Sequence, residues 1–238
     1  MDHASLRANV LTANGRDLAG AGTADGHRRA LADIYKKLRF VQIEDFVAGD
    51  LLAGIMRDLM PEIRRYTVRI VRPHEVSTGS LREGRRFGRI DPTPFEGGDA
   101  GPEGRAAIQA AFDASGLTGY VSALLAESLP LVEAIAGRKL RYDRTFLLTY
   151  GEADFIAPHG DTQTSRRVML QMPVSTGCRT AIRVMRDGWM EPYYDNLGAF
   201  RVHGPGIWHE VPPVLRLDDD VEPERVLVTV RLPFADDE

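Results

Sequence analysis

The chain has 238 residues, 43% of them hydrophobic, which is enough to bury the core of one large domain. Its formal net charge is −4, so we expect no nucleic-acid partner and no attraction to an anionic membrane. The single cysteine, Cys178, excludes an internal disulfide framework and a metal site built from several cysteines, and it favours a cytoplasmic protein. Because no run of about 18 apolar residues occurs, we expect neither a membrane span nor an export signal.

The first part of the chain predicts helices with short strands between them. Residues 1–24 are small and polar and are interpreted as a loose lead-in. A helix with Asp25 near its start as a cap is predicted next, because apolar residues then recur at the helical period. These residues are Leu31, Ile34, Tyr35 and Leu38.

A short strand in the sequence FVQIEDF is predicted to lead into a second helix that Pro61 ends. The apolar face predicted for this helix consists of Leu51, Leu52, Ile55, Met56 and Leu59. The sequence RYTVRIV then predicts another strand.

The segment from Ser77 to Gly104 is dense in glycine, proline and charge, and it predicts a long loop with little regular structure. Its arginines (Arg82, Arg85, Arg86 and Arg89) form either a solvated face or a lid that clamps an acidic substrate. Two further helices are predicted after it, at Arg105–Ala114 and Gly119–Ala136, with glycines near their ends.

After Lys139 the sequence changes to short β-forming segments separated by turn signals. Helices first and strands afterwards indicate an α+β, β-rich fold, in which N-terminal helices pack outside a double-stranded β-helix (jelly-roll) core. We therefore expect a single domain, with residues 25–140 supplying helical support and the long loop and residues 141–238 forming the core.

A histidine and an aspartate two positions apart, His159 and Asp161, point the same way if the segment is extended. A mononuclear non-heme iron site needs two histidines and one carboxylate on one face of its octahedron, and His209 in GIWHEVPPV is an available third ligand. An H-x-D pair is also common in surface turns and caps, so the pair by itself leaves both interpretations open.

Further motifs connect these residues to a known family. From Tyr142 to Phe234 the chain resembles the iron(II)- and 2-oxoglutarate-dependent dioxygenases, in particular the branch similar to prolyl 4-hydroxylases. The matching pieces follow the family's order: LLTYGEADFIAPHGD, MPVSTGCRTAIRV, GIWHEVPPV and ERVLVTVRLPF. The N-terminal FVQIEDFVAGDLLAGIMRDL also resembles the family's opening strand and helix.

The resemblance implies that His159, Asp161 and His209 bind Fe(II). It implies that the cosubstrate 2-oxoglutarate and O2 complete the site, and that Arg225 pairs with the distal carboxylate of 2-oxoglutarate. Because the interval between His209 and Arg225 is longer than usual in the family, Arg216 and Arg231 remain alternatives for that role.

Other residues receive less specific assignments. Tyr150 and Thr229 match positions that can line the cosubstrate pocket, whereas His203 is interpreted as a packed histidine because the iron site is already complete. Candidate substrate contacts are Arg86, His74 and Trp189.

The expected reaction is oxidation of an unactivated C–H bond, with release of succinate and CO2. We expect the substrate to be a small molecule, such as an amino acid or an intermediate of natural-product biosynthesis. Two alternatives remain: a peptidyl hydroxylase of the prolyl type, and a cupin-like metal-binding protein that performs no oxidation and does not need Arg225. The sequence leaves the oligomeric state open.

Overall fold

A computed structural model describes residues 12–13, 16–17, 24–72, 75–77, 80–82, 84–95, 98–160, 166–217 and 219–236. The helices within these ranges are α1 (Ala24–Leu38), α2 (Gly49–Ile63), α3 (Gly101–Ala114) and α4 (Leu117–Ala136). One 3-10 turn, Arg64–Tyr66, follows α2.

The strands fall into two groups along the chain. Those that precede α3 are β1 (Thr12–Ala13), β2 (Arg16–Asp17), β3 (Phe40–Ile43), β4 (Val68–Arg72), β5 (Glu75–Ser77), β6 (Ser80–Arg82) and β7 (Arg85–Ile90). Those that follow α4 are β8 (Arg144–Tyr150), β9 (Phe155–Gly160), β10 (Arg167–Thr176), β11 (Cys178–Arg179), β12 (Ala181–Arg186), β13 (Trp189–Tyr194), β14 (Phe200–His203), β15 (Trp208–Val211), β16 (Leu215–Arg216) and β17 (Glu224–Pro233).

Most strands belong to one large antiparallel sheet. Its strand order is β13-β12-β15-β9-β7-β8-β17-β10-β14-β3-β1-β2, and β4 pairs with β7 beside this series. It is nearly closed into a barrel, and the helices are additional to it, which confirms the predicted jelly-roll core. The pairs β5-β6 and β11-β16 form two small separate sheets. β3, β4 and β7 belong to the large sheet, so the helical part of the chain also supplies strands to the barrel.

β17 shows how the two faces of the barrel wall differ. Its side chains alternate, as they must in a strand. One set (Val226, Val228, Val230 and Leu232) is buried in the main hydrophobic core together with residues of the helices. The other set (Arg225, Leu227, Thr229 and Arg231) lies on the opposite, inner face. Apolar alternation therefore anchors the helices outside and leaves polar side chains inside the barrel.

Several predicted boundaries need correction. Asp25 lies within the first turn of α1, where it accepts a hydrogen bond from Arg28, and does not precede the helix as a cap. Pro61 does not end α2, because it lies in the last turn and the helix continues to Ile63. Leu51 is 39% exposed and is not part of the buried face of α2.

The prediction of a long irregular loop between Ser77 and Gly104 is wrong. The segment contains β6 and β7, and β7 pairs with β4, β8 and β9 in the large sheet. α3 already begins at Gly101. The error arose because glycine, proline and charged residues were taken as signs of irregular structure, whereas Arg85 and Arg89 alternate with Phe87 on β7 and line a cavity.

The predicted helix ends are confirmed at the two glycines, which adopt left-handed backbone conformations that glycine tolerates best. Gly116 precedes α4 with φ of 83° and Gly137 follows it with φ of 67°. By length and composition α4 could also span a membrane, although the sequence analysis expected no membrane span. In this fold α4 packs against α1, α2 and α3, and a core helix meets the same criterion of length and hydropathy.

Replacing Phe200 by alanine tests the contact between the barrel and its helical layer. Phe200 is fully buried, and its ring stacks on Phe46 with 4.8 Å between centroids. We expect the free energy of unfolding to fall by about 3–5 kcal/mol because of the cavity left behind. Urea denaturation measures this change. Val71→Ala is the control, since Val71 is 64% exposed, and a comparable loss there would contradict the assignment.

Candidate functional site

Two histidines meet across neighbouring strands inside the barrel. His159 on β9 lies directly opposite His209 on β15, and their ring centroids are 4.3 Å apart. Both are nearly buried, with 8% and 9% of their surfaces exposed. The Nδ1 atom of His159 lies 3.0 Å from the carbonyl oxygen of Ala157, which can only accept, so Nδ1 is the donor in this contact and Nε2 is the ring nitrogen left to bind a metal ion. This arrangement suits binding of a metal ion by both imidazoles.

The third predicted ligand, Asp161, lies outside the described residues, and so does His74, a candidate substrate contact. Within the part of the chain that the structure describes, no group of three histidine, cysteine, aspartate or glutamate side chains could hold a metal ion. A metal ion bound by the histidine pair would therefore need a further ligand from outside this part, and Asp161 follows directly on Gly160, the last residue of β9.

Gly160 makes room for a side chain of the neighbouring strand β15. It lies opposite Trp208 on β15. A Cβ atom at Gly160 would lie only 2.8 Å from Cε3 of the Trp208 ring, a separation that real side chains do not adopt. The absence of a side chain at position 160 thus allows the indole to cover the strand next to the histidine pair.

His203 is the third histidine of the barrel interior. Its ring centroid lies 6.0 Å from that of His209 and 5.0 Å from that of Phe40. Burial lowers its pKa well below the ordinary value, and the neighbouring His209, Arg201 and Arg225 lower it further, so the ring is neutral. His203 is packed and buried, as the sequence interpretation expected, and its Nε2 atom has no hydrogen-bond partner among the described residues.

Arg225, predicted to bind the cosubstrate carboxylate, is completely buried at the start of β17. Its guanidinium donates to both carboxylate oxygens of Asp195, with Nε–Oδ2 of 2.5 Å and Nη2–Oδ1 of 3.1 Å. The ring of Tyr150 lies 4.8 Å from the guanidinium carbon. Burial raises the pKa of Tyr150 to about 12, so its hydroxyl keeps its proton. Thr229 is fully buried on the same face of β17.

A second buried arginine, Arg201, shares the same carboxylate. Its Nη2 atom lies 2.7 Å from Asp195 Oδ1, and both side chains are at most 1% exposed. Arg201 also donates to the side-chain oxygen of Gln42 at 2.6 Å and to the backbone carbonyls of Tyr193 and Tyr194. Arg201, Arg225 and Asp195 are called the Asp195 cluster below.

The Asp195 cluster contains two cations and one anion, all buried. Burial raises the pKa of Asp195, but the charges of Arg225 and Arg201 prevail and hold it well below its ordinary value. Thr180 stabilises the ionised carboxylate further by donating from Oγ1 at 2.7 Å. One positive charge is therefore left without an adjacent buried counter-charge. The carboxylate of Glu44 compensates the charge of Arg201 only from a greater distance, since Glu44 accepts a hydrogen bond from Gln42 and not from the Arg201 guanidinium.

The unsatisfied polar atoms of this interior point to a missing ligand. Nη1 of Arg201 and Nη1 of Arg225 are buried without hydrogen-bond partners in the described ranges, as is Nε2 of His203. Arg201 and His203 occupy alternate positions of β14, so they face the same side about 7 Å apart along the strand. Buried polar groups without partners are rare, and an anionic ligand beside the Asp195 cluster would accept hydrogen bonds from the two Nη1 groups.

The remaining predicted residues lie elsewhere. Arg86 is bound to Asp154, with Nε–Oδ1 of 2.9 Å. Trp189 is 80% exposed at the end of a hairpin. Arg216 forms surface ion pairs with Glu152 and Glu222. Among the described residues, none of these three forms a hydrogen bond or an ion pair with the histidine pair or the Asp195 cluster.

Sequence reasoning missed Asp195 and Arg201. Asp195 lies in the turn sequence YYDNLG, where an aspartate is ordinary, so no local signal marked it. Arg201 left a weak signal, because it is a charged residue inside the apolar segment GAFRV and alternates with His203. That alternation places both side chains on the same face of a strand, and only the structure shows that this is the inner face.

Replacing Asp195 by asparagine tests the charge balance of the Asp195 cluster. The substitution leaves two buried guanidinium groups without their shared carboxylate, and we expect the free energy of unfolding to fall by about 3–5 kcal/mol. Urea denaturation measures the loss. Asp187→Asn is the matched control, since the Asp187 side chain is 91% exposed, and an equal loss in both variants would refute the interpretation.

The lowered pKa of Asp195 also predicts how the stability difference between the wild type and Asp195→Asn depends on pH. The pKa of Asp195 is lower in the folded chain than in the unfolded chain, so its contribution is complete above the unfolded value of about 4 and declines as the pH falls towards the folded value. The difference in unfolding free energy between wild type and Asp195→Asn should therefore be constant above about pH 5 and shrink below about pH 4. A difference that grows on acidification would contradict this sign.

Replacing Gly160 by alanine tests the spacing of β9 and β15. The added methyl group must displace the Trp208 ring or the strands, and we expect Co(II) affinity, measured by calorimetry, to fall about tenfold or more because metal sites need their ligands within a few tenths of an ångström. The double variant Gly160→Ala, Trp208→Ala should recover most of this affinity. Unchanged metal binding in the single variant would show that the contact does not position the histidines.

Comparisons with known proteins were made for both sequence and structure. No protein-family model matches the sequence, and a search of curated proteins finds no match. Solved structures, in contrast, match over most of the chain. The non-heme alpha-ketoglutarate-dependent epimerase SnoN from nogalamycin biosynthesis is 13% identical, with a TM-score of 0.58 over 89% of this chain and 82% of SnoN.

Two further structures illustrate the range of matches. A Pseudomonas putida prolyl-4-hydroxylase is 17% identical, with a TM-score of 0.54 over 87% of this chain and 98% of that protein. HygX from Streptomyces hygroscopicus, solved with nickel and 2-oxoglutarate bound, is 11% identical, with a TM-score of 0.52 over 87% of each chain. At these identities the comparison establishes the fold. The chain has the fold of the iron(II)- and 2-oxoglutarate-dependent oxygenases, as its motifs indicated.

Proposed function

We propose that the protein is an Fe(II)- and 2-oxoglutarate-dependent oxygenase that oxidises an unactivated C–H bond of a small molecule and releases succinate and CO2. The observation that carries the proposal is the combination, inside one barrel, of a facing histidine pair with a buried excess of positive charge. The first suits a metal ion and the second suits an anionic cosubstrate. The shared fold makes both features expected together.

His159 and His209 supply two metal ligands in this proposal, and Asp161 supplies the third. Two imidazoles and one carboxylate form the ligand set that non-heme Fe(II) oxygenases use, and they leave coordination positions open. Iron with 2-oxoglutarate and O2 supplies the oxidising chemistry when bound. The chain holds the imidazoles in place through strand pairing and through the contact between His159 Nδ1 and the Ala157 carbonyl.

Arg225 and Arg201 hold the distal carboxylate of 2-oxoglutarate in the proposed complex. Their free Nη1 donors and the uncompensated positive charge favour an anion at this position. Tyr150 and Thr229 lie around the same position, on neighbouring strands and on the same inner face. Asp195 keeps both guanidiniums oriented, so the pocket exists before the cosubstrate arrives.

A small-molecule substrate remains the proposal, in a biosynthetic role and in the cytoplasm. SnoN, whose name places it in nogalamycin biosynthesis, supports this choice, whereas the prolyl-4-hydroxylase match supports the peptidyl alternative. The cupin-like alternative is disfavoured because a metal-binding protein without a cosubstrate has no use for two buried arginines with unsatisfied donors.

Anaerobic addition of Fe(II) and 2-oxoglutarate to the protein tests the cofactor assignment. We expect a weak visible metal-to-ligand charge-transfer band, which His209→Ala should abolish because one metal ligand is lost. Arg225→Gln should retain iron but weaken 2-oxoglutarate binding about tenfold to a hundredfold, the value of one charge-assisted pair.

The control for Arg225→Gln is Arg216→Gln, since Arg216 lies in surface ion pairs, and it should leave the band unchanged. Absence of the band in the wild-type protein would contradict the proposed function. Substrate-stimulated succinate release, measured with small metabolites and with peptides, then decides the substrate class; stimulation by peptides alone would reverse the order proposed above.

A further inference from the structure

A cavity of about 540 Å³ opens against β4, β7, β8, β10 and β17. Cavities of this volume accommodate small-molecule ligands. The wall is unusually rich in arginine: Arg72, Arg85, Arg89, Arg144, Arg167 and Arg231. Aromatic rings, among them Phe87 and Phe146, form the apolar part of the wall.

Nearby carboxylates compensate only part of this charge. Asp91 pairs with Arg89, and Asp143 pairs with Arg144 and Arg231. No acidic residue lines the cavity itself among the described residues. The side chains of Arg72 and Arg167 form no ion pair with a described carboxylate, so they are the groups available to a ligand.

Four of these arginines, Arg89, Arg144, Arg167 and Arg231, are close enough for their charges to repel one another. The pKa of Arg231 is lowered first by burial and then by the charges of Arg167 and Arg144. The pKa of Arg89 is likewise lowered by burial and by Arg144 and Arg231, although Asp91 opposes this. An anion in the cavity would relieve this repulsion, because it would supply the missing negative charge.

The cavity adjoins the histidine site. Met169, which lines it, lies directly opposite His203 on β14, and the His203 ring is 6.0 Å from that of His209. On the other side, Phe87 stacks on Tyr150 with 5.7 Å between centroids. A ligand in the cavity would therefore be connected to the histidine pair through Met169 and His203, and to Arg225 through Phe87 and Tyr150.

We infer that this cavity is the substrate site and that the substrate is a small molecule carrying at least one carboxylate or phosphate group. That the ligand is a substrate rests on the proposed function. That the cavity binds an anion rests on the arginines of the cavity alone. Guanidinium groups bind either oxyanion through paired hydrogen bonds. Arg167 and Arg72 hold the anionic group, while Phe87 and Phe146 contact the carbon part of the molecule.

Isothermal titration with two probe anions, tricarballylate and inorganic pyrophosphate, tests the site and distinguishes carboxylate from phosphate recognition. The wild-type protein, saturated anaerobically with Fe(II) and 2-oxoglutarate, should bind at least one probe, more weakly as salt is raised from about 50 mM to about 500 mM. The double variant Arg72→Gln, Arg167→Gln should weaken this binding about tenfold or more. Arg167→Lys, which keeps the charge, should lose less.

Arg57→Gln is the matched control, since the Arg57 side chain is 79% exposed on α2, and it should bind the probes like wild type. Absence of probe binding to wild type, or equal binding by the double variant, would overturn the inference. Loss of 2-oxoglutarate affinity in the double variant would also overturn it, because the cavity would then hold the cosubstrate. Probe binding without a charge-transfer band would support the anion site and contradict only the proposed function.

Discussion

The buried carboxylate of Asp195 forms ion pairs with two buried arginines in the interior of the barrel, and these ion pairs are the interaction on which the rest of the site depends. Arg201 and Arg225 reach it from different strands, β14 and β17, and both are fully buried. Without Asp195, two desolvated cations would face each other in a medium of low polarity. With it, the two guanidiniums are oriented, and a single excess positive charge remains to attract an anion. Stability and the proposed binding of 2-oxoglutarate would therefore depend on the same three side chains.

Strand alternation makes this interior possible. On β17 the valines face the helical layer, and the arginines and Thr229 face inward. The helices bury one face of the sheet, so the opposite face is free to carry polar and charged residues. The histidine pair uses the same device, since His159 and His209 face each other only because β9 and β15 are paired in this register. A shift of one residue in either strand would turn the ring on that strand away from the interior.

The barrel thus separates two uses of arginine. At the start of β17, Arg225 is tied to a carboxylate and is inaccessible to solvent. Six residues further, Arg231 joins a group of arginines around an open cavity. The first environment suits a fixed anion of constant shape, which agrees with a cosubstrate. The second is larger and has aromatic walls, and this agrees with a more variable molecule that bears a charged group.

The sequence by itself determined the jelly-roll class and the positions of the helices and most strands, and it singled out His159 and His209, because hydrophobic periodicity and short motifs are local properties. That the two rings face each other depends on the pairing of β9 with β15. Only the tertiary structure decided the place of β7, because its arginines and glycine are typical of loops and had led to the prediction of a loop there. It alone also brought Asp195 to Arg201 and Arg225 and gathered the cavity arginines from separate strands. Ion pairs and cavities form between residues distant in the chain, and the strand pairing that joins them has no local signature.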